Sequence, residues 1–284
     1  MVDVDKILNS VESLSTLPTI YSTISQAMEN PRTSAAKIAE IIATDQVSAL
    51  KVLKVANSPH FGFRGRISTI SDAIFYLGFS EVKNIVFALS IINSFSKTTA
   101  SSIFKPKDFW AHSIAVGIAT RFIGIACGAS NLENYFLGGI LHDIGKLVFF
   151  QYAKNDYIEL LEKASKEKLS LKQLESDVFK IDHAQIGFSL ANKWKLPVTL
   201  QNSIFYHHIG NTNDDPDNLV PAVYLGNIMA KMLNLGYAGD DCIPKPNNAI
   251  WGKLKLPAGC FTSVRESLVT DHQNTIRIML SDTK

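Results

Sequence analysis

Residues 80–95 read SEVKNIVFALSIINSF, and their spacing decides the fold class. Val82, Ile85, Val86, Leu89 and Ile92 fall at i, i+3, i+4, i+7 and i+10, one apolar stripe along a helix rather than the alternation of a strand. Ser80 stands where an N-cap is wanted. Gly78, after Ala73, Ile74 and Leu77, stands where the preceding helix should stop. The pattern recurs outward in both directions. Ile38, Ile41 and Ile42 form a stripe behind Ser34. Ser170 with Gln173, and Asp182 with Gln185, have the spacing of capping boxes, and Pro197 opens a helix running to His207 and His208. Period-two alternation is hard to find, and no Asn-Gly or Asp-Gly turn joins apolar runs. The expected fold is all-α, a multi-helix bundle.

Composition bounds the class of protein. The 284 residues are 46% apolar and 19% charged, enough for a core without covalent staples. A net charge of +2, with acids and bases balanced over residues 1–97, excludes a nucleic-acid-coating protein. Residues 34–57 have a helix–turn–helix look, but too few cations are present to neutralise phosphates. Lys51 and Lys54 flank an apolar stripe and are expected on a solvated face. Cys127, Cys242 and Cys260 are far apart and odd in number, which suits a reducing compartment. The first ten residues, MVDVDKILNS, carry acids where a secretory signal carries bases. The most apolar run, residues 84–95, is about half of the roughly 20 residues a membrane span needs. A cytoplasmic protein without a membrane segment is the expectation.

Residues 97–107, with SKTTASS just before a proline, read as a break. Two domains are therefore expected, 1–97 and 98–284. Residues 210–218, GNTNDDPDN, are a polar loop, and the Pro- and Gly-rich stretch 236–257 is expected to wrap the surface.

Five of the seven histidines fall between His112 and His208. His112 lies in FWAHSIAVGIA. His142 and Asp143 lie in LHDIGK, after the tightly packing pair Gly138–Gly139. His183 follows the cap Asp182, and His207–His208 close a helix. Imidazole and carboxylate are the ligand set for zinc, iron, manganese or nickel. An Asp beside a His can bridge two metals. Lys146, three residues after Asp143, shares its helix face and is placed to hold a phosphate oxygen or protonate a leaving group. His60 and His272 share no motif with the others and read as hydrogen-bonded core residues.

LHDIGK, preceded by His112 and followed by His183 and His207–His208, resembles the HD superfamily of metal-dependent phosphohydrolases, in an order nearest the HD-GYP branch, which cleaves cyclic dinucleotides. LPTIYSTISQAMENP, AEIIATDQVSALKVLKVANSPHFG and ISTISDAIFYLGFSEVKNIVF are similar to the N-terminal half of HDOD domains. The resemblance covers residues 17–232. It implies an HD-domain-like bundle, with His112, His142 and Asp143 as metal ligands. The HD-GYP pattern adds His183, His207 and His208 for a second metal, and Lys146 for the phosphate. Asp143 and Lys146 are the catalytic candidates if the site turns over. The closing Asp of the HD pattern falls at Asn227, a neutral and weaker ligand, expected to face the cavity between its apolar neighbours. No GYP follows His208, which counts against cyclic di-GMP hydrolysis.

Two states of the site stay open: one holding a divalent metal (Fe, Mn, Zn or Ni), and a metal-free polar network in which Asp143 pairs with His142, His112 or Lys146. The HDOD resemblance implies a bacterial signal-transduction output domain acting through signalling proteins, its pocket sensing a nucleotide or a metal. The alternative is an active metal-dependent phosphohydrolase on a nucleotide-type substrate. An exposed apolar patch for a partner is expected around His60, Phe61 and Phe63.

Overall fold

The structure, a computed structural model, describes residues 18–63, 65–95, 100–130, 132–213 and 215–281. The acidic N-terminus and the expected boundary between residues 97 and 98 lie outside them. Every regular element among the described residues is helical. Backbone contacts divide the chain into two compact units.

The N-terminal unit holds α1 (Thr19–Met28), α2 (Ala35–Ala43), α3 (Gln46–Ala56), a 3-10 turn (Pro59–Phe61), α4 (Ile70–Leu77) and α5 (Phe79–Phe95). The central unit holds α6 (Pro106–Ala126), α7 (Tyr135–Leu141), α8 (Ile144–Tyr152), α9 (Lys154–Glu167), α10 (Leu171–Phe179), α11 (His183–Lys193), α12 (Val198–Tyr206), α13 (Leu219–Met232) and α14 (Asn248–Leu254). The last helix, α15 (Cys260–Met279), contributes residues to 268 to the central unit and those from Val269 on to the N-terminal one. The expected division, 98–284, kept that C-terminal stretch with the central part.

In the N-terminal unit, α5 buries Val82, Ile85, Val86, Leu89 and Ile92 against α1, α3 and α4. It starts at Phe79, so Ser80 sits inside the first turn rather than capping it. Gly78 ends α4 at φ +86°, a conformation open to glycine. His60 is fully buried, with Nδ1 2.5 Å from Asp271 Oδ2, which also accepts the His60 backbone N–H at 3.1 Å. That pair is one reason the chain from Val269 on groups with this unit. Two expectations are corrected. Lys51 is buried, because its ammonium donates to the Ser281 carbonyl at 3.0 Å; Lys54 is exposed. His60 and Phe61 are also buried, and the exposed aromatics are Phe75, at 81%, and Tyr76, which Phe63 packs against.

In the central unit, α6 lies between α7 and α13 and is buried nearly all round. It is the one described helix long and apolar enough to cross a membrane, and 83% of its apolar window is packed inside the fold. Two glycine crossings draw the elements together. A Cβ on Gly139 would lie 2.5 Å from Gly117 Cα, so α7 can meet α6 only without one. A Cβ on Gly145 would lie 2.0 Å from the His183 carbonyl oxygen, so the same holds for α8 and α11. The stretch expected to wrap the surface instead buries residues 238–240. The Asp240 carboxylate explains it: it accepts the Leu171 N–H at 3.0 Å and the Cys242 N–H at 3.1 Å, and pairs with Lys231.

Candidate metal centre

Asp143 is the hub. It occupies the N-cap position of α8 but makes no capping bond, which leaves both carboxylate oxygens for the site. Oδ2 accepts from Lys146 Nζ at 2.7 Å and lies 3.2 Å from His142 Nε2. Oδ1 lies 3.2 Å from His183 Nε2 and 3.5 Å from His207 Nε2, with no hydrogen-bond partner.

The rings are aimed by their far nitrogens. His142 and His207 end α7 and α12, and each donates Nδ1–H to a carbonyl three residues back: Gly139 O at 2.8 Å and Ile204 O at 2.7 Å. Terminal helix carbonyls are thereby satisfied, and each Nε2 keeps its lone pair. Neither Nε2 has a hydrogen-bond partner, although both rings are fully buried. His183 opens α11 behind the Asp182–Gln185 capping box. Its Nδ1–H donates to Glu175 Oε2 at 2.5 Å, and its backbone N–H to the same oxygen at 2.8 Å. His208, half-buried, brings Nε2 to 2.8 Å from His183 Nε2. His112, on α6, has Nε2 3.1 Å from Asn227 Oδ1 on α13.

Asp143, His183, His207 and His208 each place one donor atom within 4.8 Å of the others, and so do His112, His142 and Asp143. The two sets share Asp143. Three buried polar atoms, His142 Nε2, His207 Nε2 and Asp143 Oδ1, thus converge without partners, an arrangement costly to bury unless something bridges them. The donor set and these orphaned atoms fit a divalent cation.

Electrostatics follow from burial and neighbours. Burial pushes the His183 imidazole down, but the Glu175 carboxylate behind it and the Asp143 carboxylate before it outweigh this and hold it at about 9. Burial carries His207 down to about 4 against the pull of the Asp143 carboxylate. Burial, then the neighbouring imidazoles, depress His112 and His208 well below the usual range. Burial would raise the Asp143 carboxyl, yet His142 and Lys146 hold it well below the usual range.

All the residues named from the sequence therefore stand together: His112, His142, Asp143, Lys146, His183 and His207 buried, Asn227 7% exposed, His208 at the edge. The sequence reading missed Glu175, fully buried, and Tyr157, whose hydroxyl donates to Glu175 Oε1 at 2.7 Å. It also missed Ala238, whose carbonyl accepts from Lys146 Nζ at 2.8 Å. A signal for Glu175 existed. It falls at i+4 from Leu171 and i+1 from Leu174, on the stripe that buries Phe179, where a hydrophobe belongs.

The HDOD domain family matches residues 14–209. The chain belongs to that family. Asn227, Ala238 and Asp240 lie beyond the matched part of this HDOD chain. A curated protein of Treponema pallidum (strain Nichols), itself uncharacterised, is 25% identical over 80% of the chain. The HDOD chain spans only 44% of that relative's length. Among solved structures, an HDOD domain protein of unknown function from Geobacter sulfurreducens superposes at a TM-score of 0.78, with 24% identity and 97% and 99% of the two chains covered. A phosphohydrolase candidate from Shewanella amazonensis SB2B gives 0.71, with 20% identity and 97% of each chain covered. These likenesses establish the fold.

Proposed function

We propose that this chain is a cytoplasmic bacterial signal-transduction domain that holds a divalent metal in its His/Asp centre and works through protein partners rather than by turnover. The observation that carries the metal is the convergence of His142 Nε2, His207 Nε2 and Asp143 Oδ1, buried and without hydrogen-bond partners. Asp143 with His183, His207 and His208, or Asp143 with His112 and His142 and with Asn227 at the edge, would hold the ion. A metal there acidifies a bound water and polarises a phosphoryl oxygen.

Two features speak for a regulatory role. Lys146, the lysine the HD-GYP pattern assigns to the phosphate, commits two of its three donors to Asp143 and to the Ala238 carbonyl. Asn227 leaves the HD set one negative charge short. Partner docking has a candidate surface in the exposed pair Phe75 and Tyr76. Three free cysteines suit the cytoplasm.

The second reading, a phosphohydrolase on a nucleotide-type substrate, is favoured by Lys146 standing one helical turn past the His142–Asp143 pair. Elemental analysis of untagged protein purified without chelator tests the common part. About one or two equivalents, lost in Asp143→Ala, the residue both sets share, support the metal-holding reading, and metal well below one equivalent after reconstitution overturns it. With metal present, cleavage of bis(p-nitrophenyl) phosphate or a cyclic dinucleotide that disappears in Lys146→Ala would replace the regulatory reading with the enzymatic one.

A further inference from the structure

We propose that Glu175 is the positioning residue that makes the Asp143/His183/His207/His208 set, rather than the His112/His142/Asp143 set, the place where this chain holds its metal. The inference rests on the metal-holding reading above and adds which set is loaded and what prepares it.

The two oxygens of Asp143 are not equivalent. Oδ2, on the His142 side, is engaged by Lys146 at 2.7 Å. Oδ1 faces His183 and His207 and has no hydrogen-bond partner. The free oxygen thus belongs to the set that also has more donors, three imidazoles against two. In the HD set, the His112 Nε2 is taken by the Asn227 amide.

Glu175 sharpens the difference. Its Oε2 holds His183 twice, through ring and backbone, and its Oε1 is pinned by the Tyr157 hydroxyl, so the carboxylate is fixed from both ends. A carboxylate behind an imidazole fixes the tautomer and makes the opposite nitrogen a more basic ligand, and loss of such a partner typically costs about 10–100-fold in metal affinity. In the HD set, His142 has only a main-chain carbonyl behind it.

The test is titration of the chelator-treated full chain with Co²⁺, read by visible absorption and by competition with a chromophoric chelator. The wild type should take up one equivalent with a ligand-field band. Glu175→Gln keeps the volume and removes the charge; it should weaken binding about 10–100-fold and alter the band. Tyr157→Phe, which releases the other end of the carboxylate, should show a smaller loss, and His208→Ala should abolish tight binding. His112→Ala removes a donor of the other set and should cost far less affinity than His208→Ala. Far-ultraviolet circular dichroism and the urea midpoint identify a variant that has failed to fold. If Glu175→Gln is one, Tyr157→Phe carries the comparison, and wild-type affinity there overturns the proposal. Wild-type affinity and spectrum in folded Glu175→Gln, or loss of binding in His112→Ala, would overturn this assignment while the metal-holding reading stands. No Co²⁺ uptake by the wild type would remove both.

Discussion

Asp143 meets its neighbours through two oxygens with different company, and the residue-scale predictions follow from that asymmetry. Asn227→Asp places a charged oxygen where a neutral amide now meets His112. It should strengthen binding at the HD set by about tenfold or more, since ligand charge tunes cation affinity. In a Co²⁺ titration this shows as a second equivalent, and an unchanged isotherm would remove Asn227 from the site. A pH dependence belongs here too. His183 is held at about 9, above an unfolded value near 6.5. Its contribution to the stability of metal-free protein is fully present below about pH 6.5 and fades as pH rises through 9. His207, near 4, works the other way: its neutral folded form costs stability as pH falls from about 6.5 towards 4. A metal held by His183 would displace its proton, so apparent affinity should climb with pH up to about 9. Calorimetry in buffers of different ionisation enthalpy would register the released proton at pH 7.5, and zero release would contradict the assignment.

At the scale of elements, the site is made by helix ends and crossings. His142 and His207 sit at helix C-termini, and Asp143 and His183 at N-termini, so the centre is where four helices stop or start. Gly145→Ala should cost about 3 kcal/mol or more, because α8 and α11 cannot separate without pulling His183 from Asp143. A urea midpoint within error of wild type would show that the crossing yields cheaply. Asp182→Ala removes the cap that starts α11 one residue before His183 and should cost about 1 kcal/mol in the same assay. Much of this scale was legible. The apolar period gave α5, the spacing of Asp182 and Gln185 gave the start of α11, and the His–Asp order gathered residues that do converge. What stayed hidden depends on tertiary contact. Lys51 reads as a surface lysine until Ser281 meets it from the far end of the chain. Nothing in AEIIATDQVSALKVLKVANSPHFG says that His60 finds Asp271. Residues 236–242 look like a loose wrap because Asp240 accepts backbone N–H groups and Ala238 offers a backbone carbonyl, and such backbone partners carry no residue signature.

On the scale of the whole molecule, the candidate metal ligands all fall in the central unit. At about a hundredfold excess over its dissociation constant, a bound ion should stabilise that unit by about 2.7 kcal/mol. Hydrogen exchange with and without Co²⁺ should show protection gained in α6, α7, α8, α11 and α12, with α1 to α5 unchanged. Equal gains in α1 to α5 would contradict a site confined to the central unit.

The plug on Lys146 has a genetic consequence. Its acceptor is the main-chain oxygen of Ala238, a group every amino acid possesses. Replacing the buried Ala238 by another small residue therefore leaves the acceptor of the lysine in place. A screen for unlocked alleles should instead return deletions or frame-preserving insertions in residues 236–242, together with losses of Asp240, the anchor that keeps the segment seated.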